Sequence, residues 1–209
     1  MPGSIDSALR MGKRARAKQA NRRAILEAAR MVFARIGYDA ANIRDIIRET
    51  NLASGTFYNY FKSKEEVFEA IASDSVQRFR PLLQKVREEA KDLESYLYAA
   101  FGAYFSFLAD ENNEAIEVGT PHMSLIGVRI DTPEMQSISD EIAADLEIVM
   151  DKIGLGHLDI KYITAAAIGM AREMGDQMLE RRPLDPDGAT TFAAKVMLAG
   201  IEALAKSDH

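Results

Sequence analysis

The chain has 209 residues, of which 47% are hydrophobic and 28% charged, and a formal net charge of −6. That is the composition of an ordinary globular protein, long enough to bury a full core. There is no cysteine, which excludes a disulfide framework, a thiolate zinc site and a cysteine nucleophile. The longest uncharged stretch, Ser95 to Ala109, is shorter than the ~20 residues of a membrane span. Met1 to Arg10 lacks the apolar core of a secretory signal. A cytoplasmic protein without a membrane partner is expected.

The charge is divided unevenly. Met1–Lys64 carries 13 Lys+Arg against 5 Asp+Glu, a net of +8. Glu65–His209 carries 13 against 27, a net of −14. A basic head on an acidic body points to a polyanion-binding module joined to something else.

Helical spacing and helix punctuation recur along the chain, and no run reads as a strand. Residues 1–17 are polar and basic with little to bury, and are expected to form a flexible arm. Ile25, Ala28, Ala29, Val32, Phe33 and Ile36 fall on one helical face, with Gly37 at the usual stop position. Asn42 can cap a short helix carrying Ile43, Ile46 and Ile47, with Asp45 in its first turn, ending near Thr50. Asn51 sits in the break, as a residue that tolerates a left-handed backbone. A third helix is expected over residues 54–61, and Ser63-Lys64-Glu65-Glu66 spells a capping box that starts a new helix at Lys64. A longer helix followed by two short ones across a tight turn is the outline of a helix-turn-helix unit.

The body reads as further helices. One runs from Lys64 to about Ala90, with a kink expected at Pro81. An aromatic-rich one covers 93–110. Thr120-Pro121, Thr132-Pro133 and Asp185-Pro186 each place a capping residue before a proline. Gly154 and Gly156 precede a long helix over about 159–181, and a last helix covers about 186–205. The expected class is all-α, with about nine helices: an arm over 1–17, a head over 18–64 and a body over 65–209.

On the third helix, Phe57 and Phe61 share a core face with Leu52 nearby. Thr56, Tyr58, Asn59 and Tyr60 point elsewhere and offer hydroxyls, an amide and aromatic edges with no acid. Such a face suits the phosphates and base edges of a major groove. Gly55 removes a side chain where a phosphate could approach the helix start. Lys64 adds a cation at the start of the next helix.

These residues carry a resemblance. Ile25–Phe68 resembles the DNA-binding domain of the TetR family of transcriptional regulators. It does so through Ile25-Leu26-Glu27-Ala28-Ala29, Phe33 with Gly37-Tyr38, Ile43-Arg44-Asp45-Ile46 and, above all, Gly55-Thr56-Phe57-Tyr58-Asn59-Tyr60-Phe61-Lys62-Ser63-Lys64-Glu65. The resemblance implies a recognition helix over 54–60, with Tyr58 and Lys64 on phosphates. Ser54 and Gly55 would open that helix, and Thr56, Asn59 and Tyr60 would face base edges or flanking backbone. Asn42 and Arg44 would touch the backbone from the second helix, and the basic arm before Asn21 would reach a minor groove. The family usually has Ala at Ile47 and Thr50, Gly at Asn51 and Ser at Ala53. Asn51 can stand in for the turn glycine, and Ser54 is expected to replace the missing cap.

In the body, Ala166 and Gly169 lie in a small-residue segment, and Phe192 and Val196 lie on the last helix. Two such helices can form half of a four-helix interface, and the resemblance implies a homodimer built that way, on a palindromic operator. Phe101, Tyr104 and Phe105 form one stripe; Met170, Met174 and Met178 form another. With His122 and Met123 they are candidate lining for a small, mainly apolar effector, although they suit plain core equally. A ligand wedged near Phe79 or Leu83 would act on the helix begun at Lys64. Glu117 and Glu173 leave a cationic ligand open.

The function these readings imply is a regulator, a repressor released by its effector, with an activator of the same architecture as the alternative. An enzyme is the rival from another class. A di-metal bundle needs Glu-x-x-His pairs, and His122, His157 and His209 have none; nucleophile-elbow and phosphate-loop motifs are also missing. No cofactor or metal is therefore expected. An interaction protein that had lost DNA binding would not need the +8 head.

Overall fold

The computed structural model describes the backbone of residues 3–117 and 132–207, and side chains over 14–112 and 132–206. The described residues form eight helices. These are α1 (Gly3–Ile36), α2 (Ile43–Glu49), α3 (Ser54–Tyr58), α4 (Lys64–Glu89), α5 (Leu93–Glu117), α6 (Pro133–Lys152), α7 (Ile160–Glu180) and α8 (Pro186–Ser207). The helix start expected at Thr120-Pro121 lies outside the described residues, as do His122 and Met123.

The chain divides into two compact units, Met1–Ile71 and Ala72–His209. The division falls about two turns inside α4, rather than at the residue 64 end of the helix. The first two turns of α4 belong with the head because Val67, Phe68 and Ile71 are buried with the head's apolar residues. Nor do residues 1–17 stand apart as an arm: α1 is helical from Gly3. Ala, Leu, Arg, Lys and Met, which make up more than half of that stretch, are strong helix formers, and no Pro interrupts it after residue 2.

Local chemistry sets the boundaries of the head. Gly37 ends α1 at φ +80, a left-handed conformation open to glycine at little cost. Asn42 caps α2: its side chain accepts from the backbone N–H groups of Arg44 and Asp45, while Asp45 reaches back to the Asn42 N–H. The break between α2 and α3 uses different means from those expected. No non-glycine residue among those described has positive φ, so Asn51 does not supply a left-handed turn. The Thr50 hydroxyl supports the break instead, donating to the Ile47 carbonyl at 2.9 Å and accepting from the Leu52 N–H at 3.2 Å. Ala53 occupies the cap of α3 with no side-chain hydrogen bond. Ser54 lies inside the helix and does not replace the missing cap. Ile25, Ala29, Val32, Phe33, Ile46 and Phe57 close the head's core.

The body is built from α5, α6, α7, α8 and the rest of α4. Pro81 lies within α4. Thr132 caps α6 through the Met135 N–H, and Asp159 caps α7 through the Lys161 and Tyr162 N–H groups. Asp185 accepts from the Gly188 N–H at the start of α8. The core runs between α5 and α8 and spreads to α6 and α7, around Tyr96, Phe105, Leu146, Met150, Leu179 and Ile201. Gly175 sits where a Cβ would come within 2.7 Å of Leu108 and 3.3 Å of Tyr104, so its missing side chain lets α7 lie close to α5.

Candidate nucleic-acid interface and body cavity

In the head, the N-terminal ends of α2 and α4 meet the end of α3 at one open recess. Asn42, Ile43, Arg44, Tyr58, Lys62, Ser63, Lys64 and Glu65 are on its rim. Asn42, Arg44, Tyr58 and Lys64 were singled out separately in the sequence; the fold brings them together. Tyr58 is 56% exposed although its ring lies edge-on against Phe57. An aromatic hydroxyl held this far out of a packed helix is available to a partner. Ser54, Gly55 and Asn59 are also exposed, while Thr56 is half-buried. A Cβ on Gly55 would meet nothing within 4 Å, so nothing inside the chain demands a glycine there. Tyr60 is partly committed: it is half-buried, and its hydroxyl accepts from the Asn21 side chain at 3.3 Å, joining α1 to the end of the recognition helix.

Lys64 has a different task from the phosphate contact expected of its side chain. Its ammonium donates to the carbonyls of Tyr38 at 2.9 Å, Asp39 at 3.2 Å and Ala41 at 3.0 Å. It also lies 4.5 Å from the centre of the Tyr38 ring. An ammonium has three donors, and these three carbonyls use all of them. Lys64 therefore fastens the start of α4 to the loop that leads into α2. Lys62, which the sequence pattern did not single out, joins Arg44 as an exposed cation of the same recess. Beside Lys64, Tyr38 packs on Phe33 and Phe68 and donates to Glu65 at 3.2 Å. Burial, reinforced by the Glu65 carboxylate, pushes the Tyr38 hydroxyl up to about 12. Glu65 moves the other way, held below the usual carboxylate range by its own backbone N–H, the Ser63 hydroxyl and Tyr38.

The body holds a cavity of about 270 Å³ among α4, α5, α6 and α7. Phe101 and Tyr104 line it, together with Phe79 and Leu83. Phe105 does not. It is fully buried, stacked on Phe101 with ring centres 6.1 Å apart, and belongs to the core. Met170 and Met174 also pack against the core rather than the cavity. The face that α7 turns to the cavity is Ala167, Ile168, Ala171 and Arg172. That face was not legible because the methionine stripe beside it has the same spacing and equal apolarity. Polar groups at the wall are few. Ser75 donates to Glu111 at 3.2 Å, and Arg78 also binds Glu111. Arg172 pairs with Glu173 at 3.2 Å.

One polar seam braces α4 against α6. Arg87 grips the buried Asp145 with both nitrogens of its fork, and Arg80 reaches Glu141 at 2.9 Å and Ser137 at 3.0 Å. The hydrogen bond that Arg87 donates to Asp145 raises the Arg87 pKa further. Burial, followed by the nearby Asp145 charge, raises that of Tyr96.

Residues 25–71 match the family model described as bacterial regulatory proteins, tetR family. The head is a TetR-family DNA-binding domain. The chain as a whole is similar to transcriptional regulators of this kind. It is 23% identical over 190 residues to the HTH-type transcriptional regulator YdgC of Bacillus subtilis (strain 168), covering 87% of this chain and 92% of that one. A fatty acid metabolism regulator protein of the same organism is 29% identical over 92 residues, which is 44% of this chain and 47% of the relative. Among solved structures, the regulator FadR from Bacillus subtilis in complex with stearoyl-CoA superposes with a TM-score of 0.63 at 19% identity, covering 85% of this chain and 97% of that one. At that identity the likeness is one of fold, and it extends the TetR-like architecture through the body.

Proposed function

We propose that the chain is a cytoplasmic, homodimeric repressor that binds a palindromic operator through its head and is released when a small, mainly apolar molecule enters the body cavity. The observation that carries this is the pairing of an apolar cavity lined by Phe79 and Leu83 with a single helix, α4, that also supplies Lys64 to the head. Pressure on Phe79 and Leu83 bears on a helix whose first residue fastens the loop before α2. A shift at that end changes where Asn42 and Arg44 meet the duplex. The coupling is limited to the ligand's difference in affinity for the two arrangements, typically ~1–3 kcal/mol.

Dimerisation is supported by α7 and α8. Tyr162 is 78% exposed, Phe192 63% and Val196 43%, with Ala166 exposed beside them. Gly169 and Gly200 have open space where a Cβ would lie. The helix α8 is also long and apolar enough to cross a membrane by length and composition. Its opposite face, Ala189, Ala193, Ala194, Met197 and Ile201, is packed in the core. A helix apolar on both sides needs a second apolar neighbour, and a copy of the same pair of helices supplies one.

Stearoyl-CoA, the ligand in the Bacillus subtilis FadR complex, is the first probe, within a thermal-shift screen of long-chain acyl thioesters and apolar metabolites. A stabilising compound is expected to lower affinity for a duplex selected from a random pool. Ala171→Phe, which fills the cavity, is expected to abolish both effects. If every stabilising compound left DNA affinity unchanged, the regulatory reading of the body would fail. Sedimentation of the wild type as a monomer at micromolar concentration would remove the dimer.

A further inference from the structure

The N-terminal part of α1 carries charge of which the head's fold uses little: Arg22 lies beside Phe61 and Arg23 pairs with Glu27 at 2.7 Å. Between Ser7 and Leu26 lie seven cations, Arg10, Lys13, Arg14, Arg16, Lys18, Arg22 and Arg23, and no acid. Every residue from Arg14 to Ala20 is exposed. Arg14, Arg16 and Lys18 make no ion pair among the described residues. A helix polar on every side has no core to hold it, and cations near a helix N-terminus oppose its dipole. An anionic partner would satisfy both conditions.

The charge is also aimed. Arg14, Lys18 and Arg22 recur every four residues and so form one stripe along the helix. That stripe ends at the recognition helix: the Arg22 guanidinium lies 5.6 Å from the centre of the Phe61 ring, and neighbouring Asn21 binds the Tyr60 hydroxyl. From Arg14 to Arg22 the helix rises roughly 12 Å, at ~1.5 Å per residue. Duplex DNA advances ~3.4 Å per base pair, so the stripe matches about three to four base pairs.

We propose that this N-terminal part of α1 is a second DNA contact, a helical cationic rail that runs along phosphates beyond the segment read by α3 and lengthens the operator footprint. It rests on the reading of the head as a duplex-binding module. The rail contributes affinity and salt dependence, and no base readout, because Arg14, Lys18 and Arg22 are long, exposed and evenly spaced against a backbone of evenly spaced negative charge.

The test uses the full chain and a duplex selected from a random pool by the wild type. One version ends at the selected site; another adds about 10 base pairs, one helical turn, on each side. The triple variant Arg14→Gln/Arg16→Gln/Lys18→Gln is expected to match the wild type on the short duplex. On the long one it should bind about tenfold or more weakly, with a salt slope lower by ~2–3 per head at ~0.9 per lost phosphate contact. Lysine at Arg14 and Arg16 should restore most of the loss. Equal binding of variant and wild type on both lengths, or an equal loss on both, would overturn the rail and leave the head's role intact. A wild type that recovered no duplex at all would overturn the head reading, and the rail with it.

Discussion

Replacing Lys64 with Met separates two roles that one lysine could play at a DNA-binding recess. The substitution keeps an apolar stem of similar length and removes the ammonium. Three carbonyls, of Tyr38, Asp39 and Ala41, then lose their donor. Charged hydrogen bonds are each worth about 1.5–3 kcal/mol, but Lys64 is half-buried and water replaces much of what is lost. A total of about 2–3 kcal/mol is reasonable, including the contact with the Tyr38 ring. For a chain of this size that is a fall in Tm of roughly 5–10 °C. The assay is thermal unfolding of the full chain, paired with DNA affinity over a range of salt. The structure requires a lowered Tm with a nearly unchanged salt slope at temperatures where the variant is folded. A Tm equal to that of the wild type, with the slope lower by ~1, would show that the side chain leaves those carbonyls for a phosphate and would refute the argument.

Gly55→Ala is expected to leave Tm unchanged or raise it by up to a few degrees, since helix interiors favour Ala over Gly by about 1 kcal/mol and the added methyl meets nothing. A fall in DNA affinity by tenfold or more, read by mobility shift, would locate the demand for glycine on the DNA side. Tyr38 gives a pH dependence of definite sign. Its hydroxyl is raised to about 12 in the folded head, so its contribution is complete below about pH 10 and is lost as pH rises towards 12. Denaturant midpoints should fall across that window, and Tyr38→Phe should flatten the fall. In the body, Arg87→Met should destabilise more than Asp145→Asn. Arg87 is 43% exposed and can turn to water, whereas Asp145 is 3% exposed and would be left as a buried, unpaired carboxylate. A cost of about 2 kcal/mol or more is expected for Arg87→Met. Denaturant melts that rank the two variants in the opposite order would show that the pair is not the brace of α4 on α6.

The helix ends were legible in the sequence because caps are settled within three or four residues. Asn42 with Asp45, Gly37, Thr132 and Asp185 each act on backbone groups next to them in the chain. The basic head and the acidic body were legible because charge survives any fold. The string from Gly55 to Glu65 was legible because a short module keeps its spacing. Other features depended on residues far apart in sequence. Lys64 reads as a free cation until the fold brings it to carbonyls 23 to 26 residues away. Phe101 and Phe105 are equivalent on a helical wheel, yet one lines the cavity and the other closes the core, because α8 and α7 pack on α5 from different sides. The wall that α7 presents, from Ala167 to Arg172, lies next to a methionine stripe of the same period. Apolarity alone assigns a residue to the interior. Which part of the interior it reaches is decided by the rotation of each helix about its axis, and that rotation is fixed only by its neighbours in the packed body.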